Sequence, residues 1–224
     1  MQEKSLSSTY DAGMESVLST NKVLKNTYML LSMTLLFSAA CAGVAMAMNM
    51  GHGMALVLSL VGLGLLFVVH ATANSAMGLV AVFAFTGVLG ASLGPMLNYY
   101  LALPNGASYV MQALGGTAVV FFGLSGYALT TRKDFSYMGG FLFVGLLVAV
   151  IAMIANIFLG IPALSLTISA AIVLIMSGLI LFDTSRIING GETNYIRATV
   201  ALYLDIYNLF VHLLHLITAL SGDD

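Results

Sequence analysis

The segment RATVALYLDIYNLFVHLLHLITAL, residues 197–220, is long and apolar enough to cross a membrane, yet it carries a carboxylate at Asp205. A membrane span needs about 20 mostly apolar residues. A carboxylate inside such a span is costly to bury and is normally kept where it has a partner or a function. The preceding apolar run, ISAAIVLIMSGLILFD at residues 168–183, ends on a second carboxylate, Asp183. The sequence therefore points first to a pair of acids on consecutive spans.

The composition places the chain in a membrane. Of its 224 residues, 60% are hydrophobic and only 7% are charged, whereas soluble domains carry roughly 25% charged residues. Such a chain cannot cover a surface that faces water, so its surroundings are a lipid bilayer. The net charge of −2 gives no indication of nucleic-acid binding.

Seven apolar stretches predict an all-α, polytopic membrane bundle, because only helices and closed barrels satisfy backbone groups in lipid and the chain lacks the alternation of strands. Turn residues, chiefly Asn, Gly and Pro, separate the stretches. Residues 1–26 are predicted to be a polar N-terminal tail, disordered by composition over residues 1–22, and residues 221–224 a short C-terminal tail. The predicted spans within the membrane domain, residues 27–220, are 27–48, 54–70, 76–97, 108–130, 139–159, 163–183 and 197–220.

The basic residues predict the orientation. With seven spans, every Lys and Arg falls on one side of the membrane, whereas six or eight spans would break this sidedness. The positive-inside rule then places the N-terminus in the cytoplasm and the C-terminus on the periplasmic or extracellular side. The residues concerned are Lys4, Lys22, Lys25, Arg132, Lys133, Arg186 and Arg197.

Small residues predict close helix packing in the third and fourth spans, since they let backbones approach in lipid. Pro95 is predicted to bend the third span near its outer end. The small residues are Gly87, Gly90, Ala91 and Gly94 on the third span and Gly115, Gly116, Gly123 and Gly126 on the fourth.

The last span carries a polar stripe of Asp205, Asn208, His212 and His215, spaced three, four and three residues apart. This spacing puts them on one helix face, which should face the bundle interior. The two histidines lie in the outer half of the span. They either relay protons or bind a metal, or they hold structural hydrogen bonds.

The two acids are predicted to lie at similar depth. Asp205 follows Arg197 by eight residues, or ~12 Å of helix, and Asp183 ends its span on the same side. Two carboxylates in a poorly solvated site cannot both ionise cheaply, so they titrate as a unit. The pair would bind a proton or a hard cation such as Ca²⁺. The alternative is that Asp183 pairs with Arg186 at the surface while Asp205 bonds Asn208 or a neighbouring helix.

Several stretches resemble the Bax inhibitor-1 family, and within it the bacterial YccA branch, the modulators of the FtsH membrane protease. The resemblance extends over about residues 19–220. The stretches are NKVLKNTYMLLSMTLLFSAA (21–40), AFTGVLGASLGPMLN (84–98), GGTAVVFFGLSGYALTTRKDFSYMGG (115–140), LILFDTSRI (179–187) and GGETNYIRATVALYLDIYNLF (190–210).

The resemblance implies a bacterial inner-membrane protein with the last helix near the centre of seven. It implies that Asp183 and Asp205 are the paired aspartates associated in this family with a pH-dependent calcium leak, and that the N-terminal tail is within reach of FtsH. The family's calcium-leaking members carry an arginine on the second span. Residues 54–70 contain neither Arg nor Lys, so His70 and Arg186 are the candidate cationic partners.

A third function, intramembrane hydrolysis, has weaker support. Gly123-Leu124-Ser125-Gly126 resembles a rhomboid serine motif, and Asp183-Thr184-Ser185 resembles that of soluble aspartic proteases. Ser125 is predicted near the cytoplasmic end of its span, whereas His212 and His215 lie in the outer half of theirs. Because a nucleophile and its base must be within hydrogen-bond reach, we expect no enzymatic activity, and no cofactor except bound Ca²⁺.

Overall fold

The structure is a computed structural model that describes the backbone of residues 2–222 and the side chains of residues 20–222. This part of the chain contains helices and no strand, and seven of the helical segments are long and apolar enough to cross a membrane. The predicted fold class and the seven spans are therefore confirmed. The helices are α1 (Gln2–Ala47), α2 (His52–Thr72), α3 (Ala76–Ser92), α4 (Gly94–Leu101), α5 (Gly106–Thr131), a 3-10 turn (Ser136–Met138), α6 (Gly139–Leu159), α7 (Pro162–Ile188) and α8 (Tyr195–Leu220).

The predicted turn residues end the helices. Gly160 closes α6 with a φ of +62°, and Gly190 follows α7 with a φ of +75°. This left-handed conformation suits glycine because a Cβ atom disfavours it. Pro162 then opens α7, where the absence of its N–H costs no helical hydrogen bond.

The third predicted span is a broken helix. α3 ends at Ser92, α4 begins at Gly94, and Pro95 lies in the first turn of α4. The proline ring removes one backbone donor and obstructs a continuous helix. The predicted bend near the outer end of this span is confirmed.

The N-terminal segment differs from its prediction. α1 begins at Gln2, so the part of the tail that was predicted to be disordered is helical. Residues 2–19 contain one glycine and no proline, and extending a helix from a formed span needs no new nucleus. At the other end, the predicted C-terminal tail is described only as far as Gly222, and Asp223 and Asp224 lie outside the described residues.

The last helix lies at the centre, as the family resemblance implies. α8 packs most extensively against α7 and also against α5, α1, α3 and α2. By contrast, α6 packs chiefly on α7 and leaves large side chains such as Phe141 and Phe158 exposed. In a bilayer these exposed side chains face lipid.

Glycines bring α3 and α4 against α1. A Cβ atom added at Gly90 would overlap the backbone of Ser38, and one at Gly94 would lie 2.7 Å from the Cβ of Ala45. The prediction of close packing through small residues is therefore confirmed for the third span.

The same prediction is wrong for the fourth span. Added Cβ atoms at Gly115, Gly123 and Gly126 would meet nothing within 4 Å, and one at Gly116 would meet only a Leu213 side chain at 3.6 Å. The reason is that α5 packs through a different stripe. Its buried residues recur every third or fourth position and are Gly106, Tyr109, Ala113, Thr117, Phe121, Ser125 and Ala128.

Hydroxyl groups connect the central helix to α1 and α3. Ser38 Oγ donates to the hydroxyl of Tyr203 at 2.7 Å, and Tyr203 donates in turn to the carbonyl of Thr86 at 3.2 Å. Both donors belong to buried residues. Because lipid offers no alternative partner, such bonds fix which helices are neighbours.

We predict that Gly90→Ala destabilises the bundle, because the added methyl group forces α3 away from Ser38. Overpacking of this kind typically costs about 1–3 kcal/mol. Thermal unfolding of the purified protein in detergent measures the effect. Gly64→Ala is the matched control, since a methyl group there meets open space; equal stability of the two variants would contradict the close approach.

Candidate functional site

The carboxyl groups of Asp183 and Asp205 lie within hydrogen-bonding reach of each other. Asp205 is 4% exposed and the side chain of Asp183 is 13% exposed. One lies near the end of α7 and the other in the first half of α8, where these antiparallel helices pack together. The structure thus brings together the two acids that the sequence singled out.

One oxygen of this pair lacks a partner. Asp205 Oδ2 is buried and accepts no hydrogen bond within the part of the chain that the structure describes. A buried carboxylate in that state is costly. A proton held between the two carboxyl groups would provide the missing donor, and a cation between them would neutralise the charge instead.

Charged residues of alternating sign extend from the pair toward the surface. Arg186 Nη1 lies 3.8 Å from Asp183 Oδ1, and Glu192 is close enough for its charge to act on Asp183. Arg197 Nε lies 3.6 Å from Glu192 Oε1. The sequence interpretation did not include Glu192, although its position in a short loop between two acid-bearing spans was the available signal.

The alternative predicted from the sequence paired Asp183 with Arg186 and let Asp205 bond Asn208 or a neighbouring helix. The structure shows the Asp183–Arg186 pair but no bond between Asp205 and Asn208. Asp183 does pair with Arg186 at i+3, but the amide of Asn208 donates to the carbonyl of Leu204 at 2.8 Å and does not bond Asp205. Asn208 was expected to support the acidic pair, and the structure does not place it there. Because lipid offers no acceptor, the amide of Asn208 bonds a backbone carbonyl of its own helix.

His70 also lies away from the pair. Its ring is exposed, and Nδ1 bonds the carbonyl of Leu66 on its own helix at 2.9 Å. Of the two candidate cationic partners, the structure therefore brings only Arg186 to the acids. The guanidinium of Arg186 also lies over the ring of Phe182, 5.5 Å from its centroid.

Two side chains fix the helix ends beside the site. Asn194 caps α8 by accepting from the N–H groups of Ile196 and Arg197, and its amide donates to Ala73 O at 2.9 Å. Ser185 accepts from the N–H of Phe135 at 3.0 Å and thereby ties the end of α7 to the loop before α6. The depth of both acids is thus set by capping and loop contacts.

The histidines of the polar stripe lie at the opposite end of the α7–α8 seam. His212 Nδ1 bonds Ser169 Oγ at 3.1 Å, and His215 bonds both Ser165 Oγ and the hydroxyl of Tyr100 at 3.3 Å. They line a cavity of about 190 Å³. No group of three or more His, Cys, Asp or Glu side chains suited to a metal occurs among the described residues.

The serine motifs have structural partners. Ser125 Oγ lies 3.2 Å from Thr184 Oγ1 in a buried contact between α5 and α7. Ser185 is occupied by the loop contact described above. Within the described residues, neither serine bonds a histidine, so the geometry required of a catalytic dyad is missing.

Comparisons with known proteins agree with this architecture. A family model described as inhibitor of apoptosis-promoting Bax1 matches residues 20–222. An Escherichia coli K12 protein named modulator of FtsH protease YccA is 54% identical over 222 residues, which cover 99% of this chain and 100% of the relative. A protein of E. coli O6:H1 named inner membrane protein YccA gives the same values. An uncharacterized membrane protein of Vibrio cholerae is 51% identical over 217 residues, or 96% of this chain and 97% of the relative.

The family match extends over both acids, the charged loop between them and all seven spans. This chain therefore belongs to the Bax inhibitor-1 family of membrane proteins and resembles the modulator of the FtsH protease.

Proposed function

We propose that the Asp183–Asp205 pair is a pH-sensitive gate for a calcium or cation leak across the bacterial inner membrane. The observation that carries the proposal is the contact between two carboxyl groups inside the helix bundle. The proposed orientation puts this site in the cytoplasmic half and the C-terminus in the periplasm, in accord with the basic residues on one side.

The charges around the pair support a role for one proton. Asp183, Asp205 and Glu192 carry three negative charges when ionised, and Arg186 and Arg197 carry two positive charges. The formal sum is −1, so a single proton on the acidic pair makes the cluster neutral. Loss of that proton leaves two adjacent carboxylates in a poorly solvated site, where they repel each other strongly.

This charge change acts on the seam between two helices. With the shared proton, α7 and α8 stay packed and the path of the cation across the membrane is closed. Without it, repulsion between Asp183 and Asp205 favours separation of the helices, and the negative site attracts a cation. Rising pH therefore opens the gate, and falling pH closes it.

The ligand set suits a passing calcium ion better than a resident one. Ca²⁺ takes 6–8 oxygen ligands, whereas the site offers two carboxyl groups, and Arg186 lies 3.8 Å from one of them. Water molecules would have to complete the coordination shell. We therefore infer that calcium is the transported ion, and that the carboxylates lower the free-energy barrier to its passage.

We predict that calcium flux into vesicles containing the purified protein rises with pH, by up to about tenfold per pH unit, the limit for release of one proton. Asp183→Asn and Asp205→Asn each remove the shared proton and the repulsion, so flux in both variants stays low and independent of pH. A calcium indicator trapped in the vesicles measures the rate.

Asp134→Asn is the matched control for these variants, since Asp134 lies in an exposed loop on the same side of the membrane. Hydrogen bonds from Ser136 lower the pKa of Asp134, so its charge is constant across the pH range and its loss leaves the pH profile unchanged. Unaltered pH-dependent flux in both pair variants would exclude Asp183 and Asp205 as the gate.

A second proposed function is modulation of an FtsH-type membrane protease, in accord with the 54% identity to a relative named for that role. Residues 2–18 precede the first span, which begins at Thr20. On the proposed orientation this segment lies in the cytoplasm, where a protease could engage it. Binding of this kind does not require transport, so the two functions can be tested separately.

We predict that deletion of residues 2–18 slows degradation of the chain by FtsH, because the segment by which the protease is proposed to engage the chain is lost. Turnover of the labelled chain in proteoliposomes containing FtsH measures the effect. The control keeps a segment of equal length and composition in scrambled order. Identical turnover of the deleted and full-length chains would argue against engagement through the tail.

A further inference from the structure

A long apolar groove runs between α1 and α5 and is also lined by the central helix α8. Both α1 and α5 pack on α8 but make little contact with each other. The resulting groove has a volume of about 460 Å³. Its lining on α1 extends from Tyr28 to Met46, or ~27 Å of helix, which is close to the ~30 Å thickness of the hydrocarbon layer.

The walls of the groove leave little for a polar ligand to bind. Every serine and threonine hydroxyl of the lining, on Ser32, Ser38 and Thr117, is already bonded within the protein. The hydroxyls of Tyr203 and Tyr207 are bonded as well. The hydroxyl of Tyr28, at the end of the lining next to Leu24, has no partner among the described residues. No charged side chain lines the groove. Its chemistry therefore fits a hydrocarbon.

A polar recess continues the same seam on the basic side of the membrane. It has a volume of about 240 Å³ and includes Leu24 of α1, Leu129 of α5 and Arg132. Leu24 lies one helical turn from Tyr28, which lines the groove, so recess and groove share one face of α1. Asn21 and Asn189 add polar groups, and no acidic residue lines the recess.

The cation in this recess is unpaired. Arg132 is exposed and forms no ion pair with any residue whose side chain the structure describes. Lys22 and Lys25 of α1 are exposed at the same end. A basic recess at the membrane surface attracts the phosphate of an anionic lipid.

We propose that the α1–α5 seam binds one anionic phospholipid, with its phosphate at Arg132 and one acyl chain in the groove. An acyl chain of about sixteen carbons needs roughly 480 Å³ if each carbon takes the ~30 Å³ of a water molecule, in agreement with the groove. A transmembrane helix, ~10–12 Å in diameter, is too large for this volume. The recess supplies the charge that a phosphate requires.

The test uses the full chain in phosphatidylcholine vesicles that contain a minor fraction of phosphatidylglycerol with a photoactivatable group in mid-chain. After irradiation and digestion, mass spectrometry maps the labelled residues. We expect labelling to concentrate on the lining of α1 and α5, at the level of about one lipid per chain. Phosphatidylcholine carrying the same group is expected to label these residues less.

Two variants at opposite ends of the site have matched controls. Ala39→Phe fills the groove and should reduce labelling of its lining. Ala40 is an exposed neighbour outside the lining, so Ala40→Phe should leave labelling unchanged. Arg132→Gln removes the recess cation and should reduce labelling about fivefold, the factor for about 1 kcal/mol per basic residue at an anionic surface. Lys133→Gln, outside the recess lining, should leave labelling unchanged.

Three results would overturn the proposal. The first is labelling of the exposed face of α6, around Phe141 and Phe158, at the same level as the groove, which would indicate ordinary surrounding lipid. The second is an equal loss of labelling in the Arg132 and Lys133 variants. The third is an unlabelled groove in the wild-type chain, as expected if a second copy or another protein covers it.

Discussion

The absence of hydrogen-bonding partners in lipid is the constraint on which this structure depends. Helix α8 carries Asp205, two histidines and several hydroxyl groups within one span, and none of these groups can face hydrocarbon without a large cost. The bundle resolves this by surrounding α8 with α7, α5, α1 and α3. Its tyrosines bond serines and backbone on α1 and α3, and its histidines bond serines on α7. The positions of these four helices follow from covering α8, whereas α6 packs on α7.

The acidic pair is where this covering is incomplete. Most polar groups of α8 have a protein partner, but Asp205 Oδ2 has none among the described residues. In the proposed gate, a proton or a cation from outside the protein supplies the missing partner. The response to pH is thereby placed at the seam between α7 and α8. That is the physical basis of the gate proposed above.

The charges beside the pair come from the facing ends of α7 and α8 and from the loop between them, and not from the second span. The family resemblance led us to expect an arginine on that span, whereas here α2 has no Arg or Lys and its His70 is exposed. Arg186, Glu192 and Arg197 surround the α7–α8 turn instead. A countercharge at the membrane surface is more exposed to water than one within a span, and its field on the acids is more strongly screened. The same central helix also lines the α1–α5 groove through Ile206, the residue after Asp205, so both proposed sites act on one element.

The sequence by itself determined the number of spans and the sidedness of the basic residues, and it placed most span ends within a few residues of those observed. The first span begins at Thr20, seven residues before its predicted start. These features depend on local hydropathy and on turn residues such as Gly160 and Pro95, which act within one or two helical turns. It also identified Asp183 and Asp205, because a carboxylate in an apolar run is costly wherever the run packs. Only the tertiary structure decided which groups meet them. Spacing along a helix gives the face of a side chain but not its neighbour, so Asn208 and His70 were expected beside the pair and instead bond their own helices. The glycines of α5 were misjudged for the same reason, since a small residue permits close approach only where another helix is present. The α1–α5 groove has no sequence signature at all, because it arises from two helices that share a neighbour and make little contact with each other.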